Sequence, residues 1–395
     1  MAVDYASRAA ARARARQRET ADVASFVRRV DWVLVGAVGA LIGYGLWAMA
    51  GITRHDIPGD PSYYVIRQGV YVGIGVVALA VMLLIDPERY EHLWRPILGG
   101  TVAVIVLVFL RGVESHGSKR WLDLGFFRFQ PSEFGKVLFV VALAGFLSER
   151  TKSLQERRTT LTAVGLAALL IGLVFLQPDV GTAMVYCAAL AAVLFVAGTK
   201  WTHLAVLGAG AALLAATVLW IAPAAGVHML KPYQVQRLTG FFHPNSDPGG
   251  ATYNIVQSKN AIGAGQFHGR GVNGATQTTF HFLPAHHTDF AFASLSEERG
   301  FVGASILLAL YLLVVWRGLR VVALARDAFS AIVAGGLVFG LIFQIFVNVG
   351  MTMGIAPITG IPLPFFSVGG SSMIANLVAV GILLSIHVRA RGARR

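Results

Sequence analysis

Ten apolar runs long enough to cross a lipid bilayer recur along the chain, and they restrict it to very few folds. A membrane-spanning helix needs about 17–25 mostly apolar residues, and only 13% of the 395 residues are charged. Lipid admits helices or closed barrels, and the alternation typical of barrel strands is absent from the sequence. We therefore predict an all-α polytopic membrane protein with helices at about 32–50, 63–85, 93–110, 134–148, 159–176, 180–198, 202–221, 300–316, 328–350 and 367–388.

The polar residues between and beyond these runs divide the chain into regions. Residues 1–31 are predicted to form a basic cytoplasmic tail, residues 32–388 a ten-helix transmembrane domain, and residues 389–395 a second cytoplasmic tail. The only long polar stretch, 222–299, lies between the seventh and eighth helices and is predicted to be a large extracytoplasmic loop.

Lys and Arg residues predict the orientation, because loops that carry them stay in the cytoplasm. Most of the 33 Lys and Arg residues fall in the first tail, in alternate loops and at the C-terminus. Both termini are therefore predicted to be cytoplasmic, and the long polar loop extracytoplasmic. This bias also explains the net charge of +13. The Ala/Arg repeat at 9–18 has no interleaved aromatic residues, so we expect a cytoplasmic tail that is either disordered or resting on anionic lipid, and we predict no nucleic-acid partner.

The polar loop before the fourth helix contains two pairs of interest. Glu133 and Lys136 are spaced i,i+3 just after a helix start at Pro131, so they share one helix face. They are either a capping acid with its neutralising partner or a charged pair that faces a polar cavity, and intramembrane charge favours the second reading. Arg120 and Trp121 are either an interfacial anchor or, for Arg120, a cation available to a substrate.

Three further segments of the predicted outer face contain candidate residues, and two of these segments have features of anion-binding sites. Pro178 breaks apolar sequence next to Asp179, which is expected either to cap the following helix or to line a cavity. Lys259, on a predicted short amphipathic helix at 253–262, and Arg270, in a glycine-rich stretch, are candidates for binding phosphate. Near the start of the last helix lie three serines that either bind an anionic head group or serve in packing: Ser367, Ser371 and Ser372.

The long loop ends in two histidines followed by Thr288 and Asp289, and three readings compete for this segment. Asp289 caps the next helix, or it is a general base whose pKa is raised beside Phe290 and Phe292, which is the reading we favour. The third reading is a metal site, but adjacent histidines rarely converge on one ion. That set would contain His281, His286, His287 and Asp289. We assign no metal ligands, and the single cysteine, Cys187, excludes a cysteine-based site.

Five motifs from about Asp31 to the C-terminus resemble those of the SEDS (shape, elongation, division and sporulation) glycosyltransferases. They are Arg120-Trp121 with Gln130-Pro-Ser-Glu133-x-x-Lys136, Gln177-Pro-Asp179-x-Gly-Thr182, Gln257-Ser258-Lys259 with Ala261-Ile-Gly263, His287-Thr-Asp-Phe290 with Glu297-Glu298, and Pro362-Leu-Pro364 with Gly369-Gly-Ser-Ser372. Asn348-Val-Gly-Met351 and Gly360-Ile-Pro-Leu-Pro364 resemble the RodA branch. The chain departs from the family pattern at Ala285, where Glu is common, and at Val368, where Tyr is common.

The resemblance implies an enzyme of the plasma membrane that polymerises lipid II into β-1,4 glycan strands on the outer face, for cell elongation and rod shape. It implies a class B penicillin-binding protein and the elongation machinery as partners. Asp289 matches the family's essential acid, and Glu133 and Lys136 match functional charges. The same motifs add Trp121, Gln257, Ser258, His287 and Thr288 to the candidates for substrate binding.

The expected chemistry needs a proton acceptor and positive charge on a departing pyrophosphate, for which Mg²⁺ or Mn²⁺ is the candidate cofactor. Two other functions are compatible with many helices and a polar outer face. A flippase for lipid-linked precursors needs charge near the middle of the membrane, whereas here the polar groups crowd one end. A scaffold for cell-wall synthases needs no catalytic acid, so replacing Asp289 by Asn distinguishes it from an enzyme.

Overall fold

Long apolar helices make up most of the computed structural model, which describes residues 25–115, 118–123, 125, 128–224, 226, 240 and 252–392. In chain order they are α1 Trp32–Ile52, α2 Tyr63–Leu84, α3 Trp94–Arg111, α4 Pro131–Ser148, α5 Arg157–Leu176, α6 Val180–Val196, α7 Trp201–Ala216, α8 Tyr253–Gly265, α9 Ala291–Leu324, α10 Ala328–Met353 and α11 Gly370–Gly392. Most of the predicted first tail, 1–24, and much of the predicted long loop lie outside the described residues.

Ten of these helices coincide with the ten predicted spans. In the part of the chain that the structure describes, nine helices are long and apolar enough to cross a membrane, with α7 continued to Ile221 by a short π-helix, and α6 is a shorter apolar helix of 17 residues. The eleventh, α8, is the amphipathic helix predicted in the long loop. The protein is therefore a multi-pass membrane protein, because such helices satisfy their own backbone hydrogen bonds in lipid.

The helices are buried to different degrees, which indicates their place in the bundle. Most residues of α4 and α11 are buried, so these two helices form the centre. In contrast, α2 buries only Gln68 and Gly75, and α7 buries none of its residues. Large apolar side chains on α2 and α7 are exposed, as expected for helices that face lipid rather than water.

The eighth span differs from its prediction in where it begins. The sequence predicts a helix from about residue 300, but α9 begins at Ala291 and contains a break at Gly300, whose φ is +63°. The two helical bonds that the break removes are replaced by bonds to the glycine-rich loop. Glu297 O and Glu298 O accept from the N–H groups of residues 270 and 271, while the N–H groups of residues 301 and 302 donate to the carbonyls of residues 266 and 267.

The glycines of this loop therefore have a structural role. A side chain on Gly265 would place its Cβ 1.8 Å from Ser296 O, and Gly269 has a φ of +84° with no room for a side chain against Glu298 O. The loop packs its backbone directly on α9 and exposes the side chain of Arg270, whose Nε donates to Ala264 O at 3.0 Å.

A small antiparallel sheet connects α3 to α4, which the sequence did not predict. Its strands are β1 Val113–Ser115, β2 Ser118–Asp123 and β3 Arg128–Phe129, in the order β1-β2-β3. Trp121 pairs with Val113, and Leu122 pairs with Phe129. The sheet holds Arg120 above the start of α4.

The loops of the bundle meet at two opposite ends. We call the end formed by the described parts of loops 53–62, 112–130, 177–179, 266–290 and 354–369 the site end, because the predicted site residues lie on these loops or on the adjoining helices α4, α8 and α11. Contacts such as Gln68 to Ser367 and Gln130 to Ser371 join these loops to the helices beside them. At the other end, the arginine end, Arg389 pairs with Asp86, and Arg317 with Asp31.

The pair at the arginine end joins the first and ninth helices of the chain. Asp31 caps α1 by accepting from Leu34 N at 3.1 Å, and its other oxygen accepts from Arg317 Nε at 3.0 Å. Both side chains are buried. Burial alone would raise the pKa of Asp31, but the hydrogen bonds from Arg317 and Leu34 lower it overall, so the carboxylate stays charged.

We expect Arg317→Met to destabilise the protein by about 3–5 kcal/mol, because it leaves a buried carboxylate without its partner. Thermal unfolding in detergent measures this. Arg320→Met is the control, because it removes the same side chain and charge at an exposed position of the same helix. It should unfold at nearly the same temperature as the wild type. The double variant Asp31→Asn, Arg317→Met should recover most of the loss. Equal unfolding temperatures of Arg317→Met and Arg320→Met would contradict the role of the pair.

Candidate active site

Asp289 lies in a short irregular loop, 283–290, whose backbone is held at four consecutive carbonyl groups. The carbonyls of residues 286, 287, 288 and 289 accept, in order, from Ser294 Oγ at 3.1 Å, Val368 N at 3.0 Å, Ser367 Oγ, and Asn348 Nδ2 at 2.9 Å. The donors come from α9, from the segment before α11 and from α10. The half-buried side chain of Asp289 is therefore presented from a backbone fixed by three parts of the fold.

The alternative that Asp289 is the N-cap of the next helix is wrong. Helix α9 begins at Ala291, and its N-cap position is occupied by Phe290. Phe290 and Phe292 are both buried, in agreement with an apolar floor under the loop. That the pKa of Asp289 is raised stays a prediction.

The two histidines before Thr288 face an acid that the sequence did not connect with them. Nε2 of His286 lies 2.9 Å from Oδ1 and 3.1 Å from Oδ2 of Asp56, in the loop between α1 and α2. Nδ1 of His287 lies 3.4 Å from Asp56 Oδ2, and its ring packs on that of Tyr64 with centroids 4.7 Å apart. Burial and the adjacent His286 lower the pKa of His287 to about 4, so its ring is neutral near pH 7.

Glu133 and Lys136 form the predicted pair, and the pair is buried. Lys136 Nζ lies 2.9 Å from both carboxylate oxygens of Glu133 and 2.9 Å from Oε1 of Gln344. Since an ammonium group has three protons, these contacts engage all of its donors. The pair borders a small cavity of about 40 Å³, otherwise lined mostly by apolar side chains of α4, α6, α10 and α11. The reading of a charged pair facing a cavity is consistent with this arrangement.

The Gln-Pro-Asp motif is held by Arg120. The guanidinium donates to Gln177 O at 3.2 Å and to Pro178 O, and it lies 3.6 Å from Asp179. Asp179 caps α6 by accepting from Thr182 N at 3.2 Å, which confirms the capping interpretation. Arg120 thus serves this loop, and Trp121 is half-buried beside it.

The three predicted serines are buried and make hydrogen bonds within the protein. Ser367 Oγ accepts from Leu363 N at 2.9 Å in addition to donating to the 288 carbonyl. Ser371 Oγ accepts from Gln130 N at 2.9 Å, and Ser372 Oγ accepts from Asn376 at 3.2 Å. The segment 363–372 therefore joins the Asp289 loop on one side to the start of α4 on the other.

The remaining candidates lie on α8, which packs against α9 and α10 rather than lying apart from the bundle. Ser258 is fully buried and donates to Thr352 O at 2.7 Å, and Gln257 is half-buried. Lys259 is exposed, and its side chain passes Gly354 at the site end of α10. Of the phosphate-binding candidates, Lys259 is thus near the bundle and Arg270 is on the loop outside it.

An apolar groove runs along the side of the bundle between α9 and α10. Its volume is about 400 Å³, and it extends to Met353 and Ile355, on either side of Gly354. The end of the groove therefore lies next to Lys259. Lateral grooves of this kind are expected for substrates with polyprenyl tails.

Four polar residues of the site were not identified from the sequence: Asp56, Gln68, Gln344 and Asn348. Three of them are amides on membrane-spanning helices, and a polar residue in an apolar run is a signal that could have found them. In the sequence, Asn348 stands out only as part of a family motif. Asp56 has no such signal, since its partner His286 is 230 residues away along the chain.

Comparisons with known proteins agree with this fold. A family model described as "Cell cycle protein", for FtsW, RodA and SpoVE, matches residues 27–392. The peptidoglycan glycosyltransferase MrdB of Escherichia coli K12 is 41% identical over 322 residues, which cover 80% of this chain and 83% of MrdB.

Two solved structures are also similar. The rod shape determining protein RodA of Thermus thermophilus has a TM-score of 0.67 at 28% identity, covering 91% of this chain and 96% of that one. A chain from a study of how a peptidoglycan synthase complex coordinates polymerization and crosslinking has a TM-score of 0.78 at 31% identity, covering 91% and 98%.

We expect Asn348→Ala to loosen the Asp289 loop, because it removes the donor to the carbonyls of Asp289 and Ile361. Leaving a buried acceptor unsatisfied costs about 1–3 kcal/mol, which corresponds to roughly tenfold or more faster amide exchange. Hydrogen–deuterium exchange of peptides covering 285–290 measures it. Asn376→Ala, whose amide donates to Ser372 instead, is the control. Unchanged exchange in the Asn348 variant would show that the loop is held without this amide.

Proposed function

The chain belongs to the FtsW, RodA and SpoVE family, and from this premise we propose that Asp289 is the general base of its glycosyl transfer. The protein is a peptidoglycan glycosyltransferase of the elongation type, which polymerises lipid II. We infer that the site end faces the outside of the plasma membrane, because Lys and Arg are concentrated in the tails and loops of the opposite end.

The proposed reaction is a single displacement. The acceptor hydroxyl attacks the anomeric carbon of the donor sugar, the bond from that carbon to the lipid pyrophosphate breaks, and Asp289 takes the hydroxyl proton. Attack from the opposite face converts the α-linked pyrophosphate into a β-1,4 glycosidic bond. A correctly placed base contributes about 10²–10⁴-fold to such a rate.

The observation that carries this assignment is the fixation of four successive carbonyls, 286–289, by donors from three parts of the fold. General-base catalysis requires a carboxylate at hydrogen-bond distance from the proton it accepts, so its backbone must be rigid. An irregular loop without these donors would move with the substrate. The ring of His287 is neutral and packs on the ring of Tyr64, which further restricts movement of the same loop.

We propose that Lys136 binds a phosphate of the donor when the substrate enters. All three of its donors are engaged in the free enzyme, one of them by the neutral Gln344 amide. An anionic oxygen is a stronger acceptor than an amide, so a phosphate can replace Gln344 while Glu133 keeps its contacts. Mg²⁺ or Mn²⁺ would add positive charge at the pyrophosphate, where the substrate's own oxygens would be its main ligands.

The groove between α9 and α10 is the proposed site for one polyprenyl tail. Its lining is apolar, and its site end lies next to Lys259, which supplies a positive charge where a pyrophosphate follows the tail. Arg120 is committed to the Gln-Pro-Asp loop, and we propose that it acts by positioning that loop. Ser367, Ser371 and Ser372 likewise act through the segment they hold.

We propose that a class B penicillin-binding protein is the partner that supplies crosslinking. The support comes from the similar chain in a peptidoglycan synthase complex, whose study concerns both polymerization and crosslinking. The elongation machinery is the expected wider context. Purified protein for functional tests should therefore carry this partner, with its transpeptidase serine inactivated.

Asp289→Asn is expected to abolish glycan polymerisation from lipid II, a loss of about 10²–10⁴-fold, because the amide accepts no proton from the acceptor hydroxyl. Reconstituted protein with Mg²⁺ or Mn²⁺ and gel analysis of glycan strands measure the product. Asp289→Glu, which keeps the carboxylate but moves it, should retain partial activity.

Asp60→Asn is the matched control, with the same charge change on an exposed acid of the site end. It should polymerise like the wild type. If Asp289→Asn also makes normal polymer, the base is elsewhere or the protein recruits another synthase. If the wild type moves lipid II across vesicles but makes no polymer, it is a flippase.

A second variant pair separates charge from packing at Lys136. Lys136→Met leaves Glu133 buried without a partner, so we expect both a loss of stability of about 3–5 kcal/mol and a loss of activity. The double variant Glu133→Gln, Lys136→Met removes the uncompensated charge and should recover thermal stability. We expect it to stay inactive, because no ammonium is left for the phosphate. Recovery of polymerisation together with stability would mean that the pair is purely structural.

A further inference from the structure

Asp56 faces a group of imidazole rings at the site end that glycosyl transfer leaves unexplained. One ligand atom from each of Asp56, His281 and His286 lies within 4.8 Å of the other two. Asp56 Oδ1 is 2.9 Å from His286 Nε2 and 3.9 Å from His281 Nδ1. The carboxylate and His286 are buried, with 7% and 6% of their side chains exposed, whereas His281 is half exposed.

These separations fit a tetrahedral metal ion. With metal–ligand distances of about 2.1 Å, a tetrahedral ion holds its ligand atoms about 3.4 Å apart. The observed 2.9 Å and 3.9 Å lie on either side of this value. Seating an ion therefore changes each of these two separations by about half an ångström, and His281, being half exposed, is free of the core packing that would oppose its shift.

The surroundings of the three residues also favour an ion over a simple hydrogen bond. Nδ1 of His287 is buried, lies 3.4 Å from Asp56 Oδ2 and makes no hydrogen bond to any described residue. A hydrogen bond from His286 satisfies one imidazole but leaves His281 and His287 facing the same carboxylate. A cation held by Asp56, His281 and His286 satisfies the carboxylate and the facing nitrogens of both ligand rings together.

The backbone presents the two histidines from an unusual turn. His281 has a φ of +55° and Ala285 a φ of +53°, and neither residue is a glycine. Left-handed backbone at two such positions costs free energy and is found where surrounding structure fixes it. The turn brings His281 and His286 to the same acid, although four residues separate them.

We propose that Asp56, His281 and His286 bind a Zn²⁺-class transition-metal ion with one coordination position open. Two imidazoles and one carboxylate are a ligand set for zinc and related metals, whereas Mg²⁺ prefers oxygen ligands alone. This ion is therefore distinct from the Mg²⁺ or Mn²⁺ expected at the pyrophosphate. Three protein ligands are typical of zinc sites that keep a position for water or a substrate oxygen.

The proposed ion joins two loops that are far apart in sequence. Asp56 belongs to the loop between α1 and α2, and His286 precedes Asp289 by three residues. A bound ion would fix the loop that carries Asp289 from the side opposite to Asn348 and Ser367. The proposal does not depend on the assigned catalytic role, since the metal binds without lipid II.

Metal binding is tested on the full-length protein in detergent, stripped with a chelator and then titrated with Zn²⁺ against a chromophoric competitor. We expect one equivalent of tight binding and, with Co²⁺ instead, the visible absorption of a tetrahedral site. Removing even a residue that orients a metal ligand costs about 10–100-fold in affinity. His281→Ala removes a ligand and should cost at least that much. Because His281 is half exposed, this variant should fold like the wild type, as judged by thermal unfolding.

Two controls distinguish this site from its alternatives. His55→Ala removes an exposed imidazole next to Asp56 and should bind metal like the wild type. Asp289→Asn should also bind normally, so inactivity of that variant and loss of metal are separate results. The proposal is overturned if the stripped wild type takes up no Zn²⁺, or if His281→Ala binds it equally well. It is also overturned if Asp289→Asn loses the metal, since the ligands would then be a different set.

Discussion

A peptide group in lipid has no water to bond with, so every irregular turn near the membrane needs protein groups in place of water. At the site end, hydrogen bonds that a helix would make within itself are replaced by hydrogen bonds to a neighbouring loop. At Gly300 the helix gives up two carbonyls and two N–H groups, and the glycine-rich loop 266–271 supplies a partner for each. Four carbonyls of the Asp289 loop find donors on α9, α10 and the segment before α11. Because these carbonyl and N–H groups find protein partners, the loop can be both irregular and rigid.

Three buried charged groups follow the same logic. Arg317 is paired with Asp31, Lys136 with Glu133, and the oxygens of Asp56 lie against His286. A buried charge without a partner costs several kcal/mol, whereas a complete pair is close to neutral in stability. Such pairs therefore contribute little to net stability, but they fix which loops and helices meet. The first pair joins α1 to α9, and the last joins the α1–α2 loop to the loop of Asp289.

The predictions that the structure confirms are those that depend on local features of the sequence. The ten spans follow from the length of apolar runs, and the cap at Asp179 follows from one residue and its neighbours. The start of α9 was wrong because Glu297 interrupts the apolar run, yet in the structure it is buried and accepts from the N–H groups of residues 277 and 278. Partners 230 residues apart, such as His286 and Asp56, leave no local trace. Hydropathy reports solvent preference along the chain, and it cannot show which polar groups satisfy one another.

The position of Ala285 links these points to the chemistry. Family members commonly have Glu there, so this chain lacks an acid four residues before Asp289. A second carboxylate is nevertheless beside the loop, because Asp56 reaches it from the α1–α2 loop through His286. That carboxylate is held by imidazoles, and its oxygens are 2.9 Å and 3.1 Å from Nε2 of His286. Through His286, the residue after Ala285, Asp56 thus ties the α1–α2 loop to the loop that carries the proposed base, Asp289.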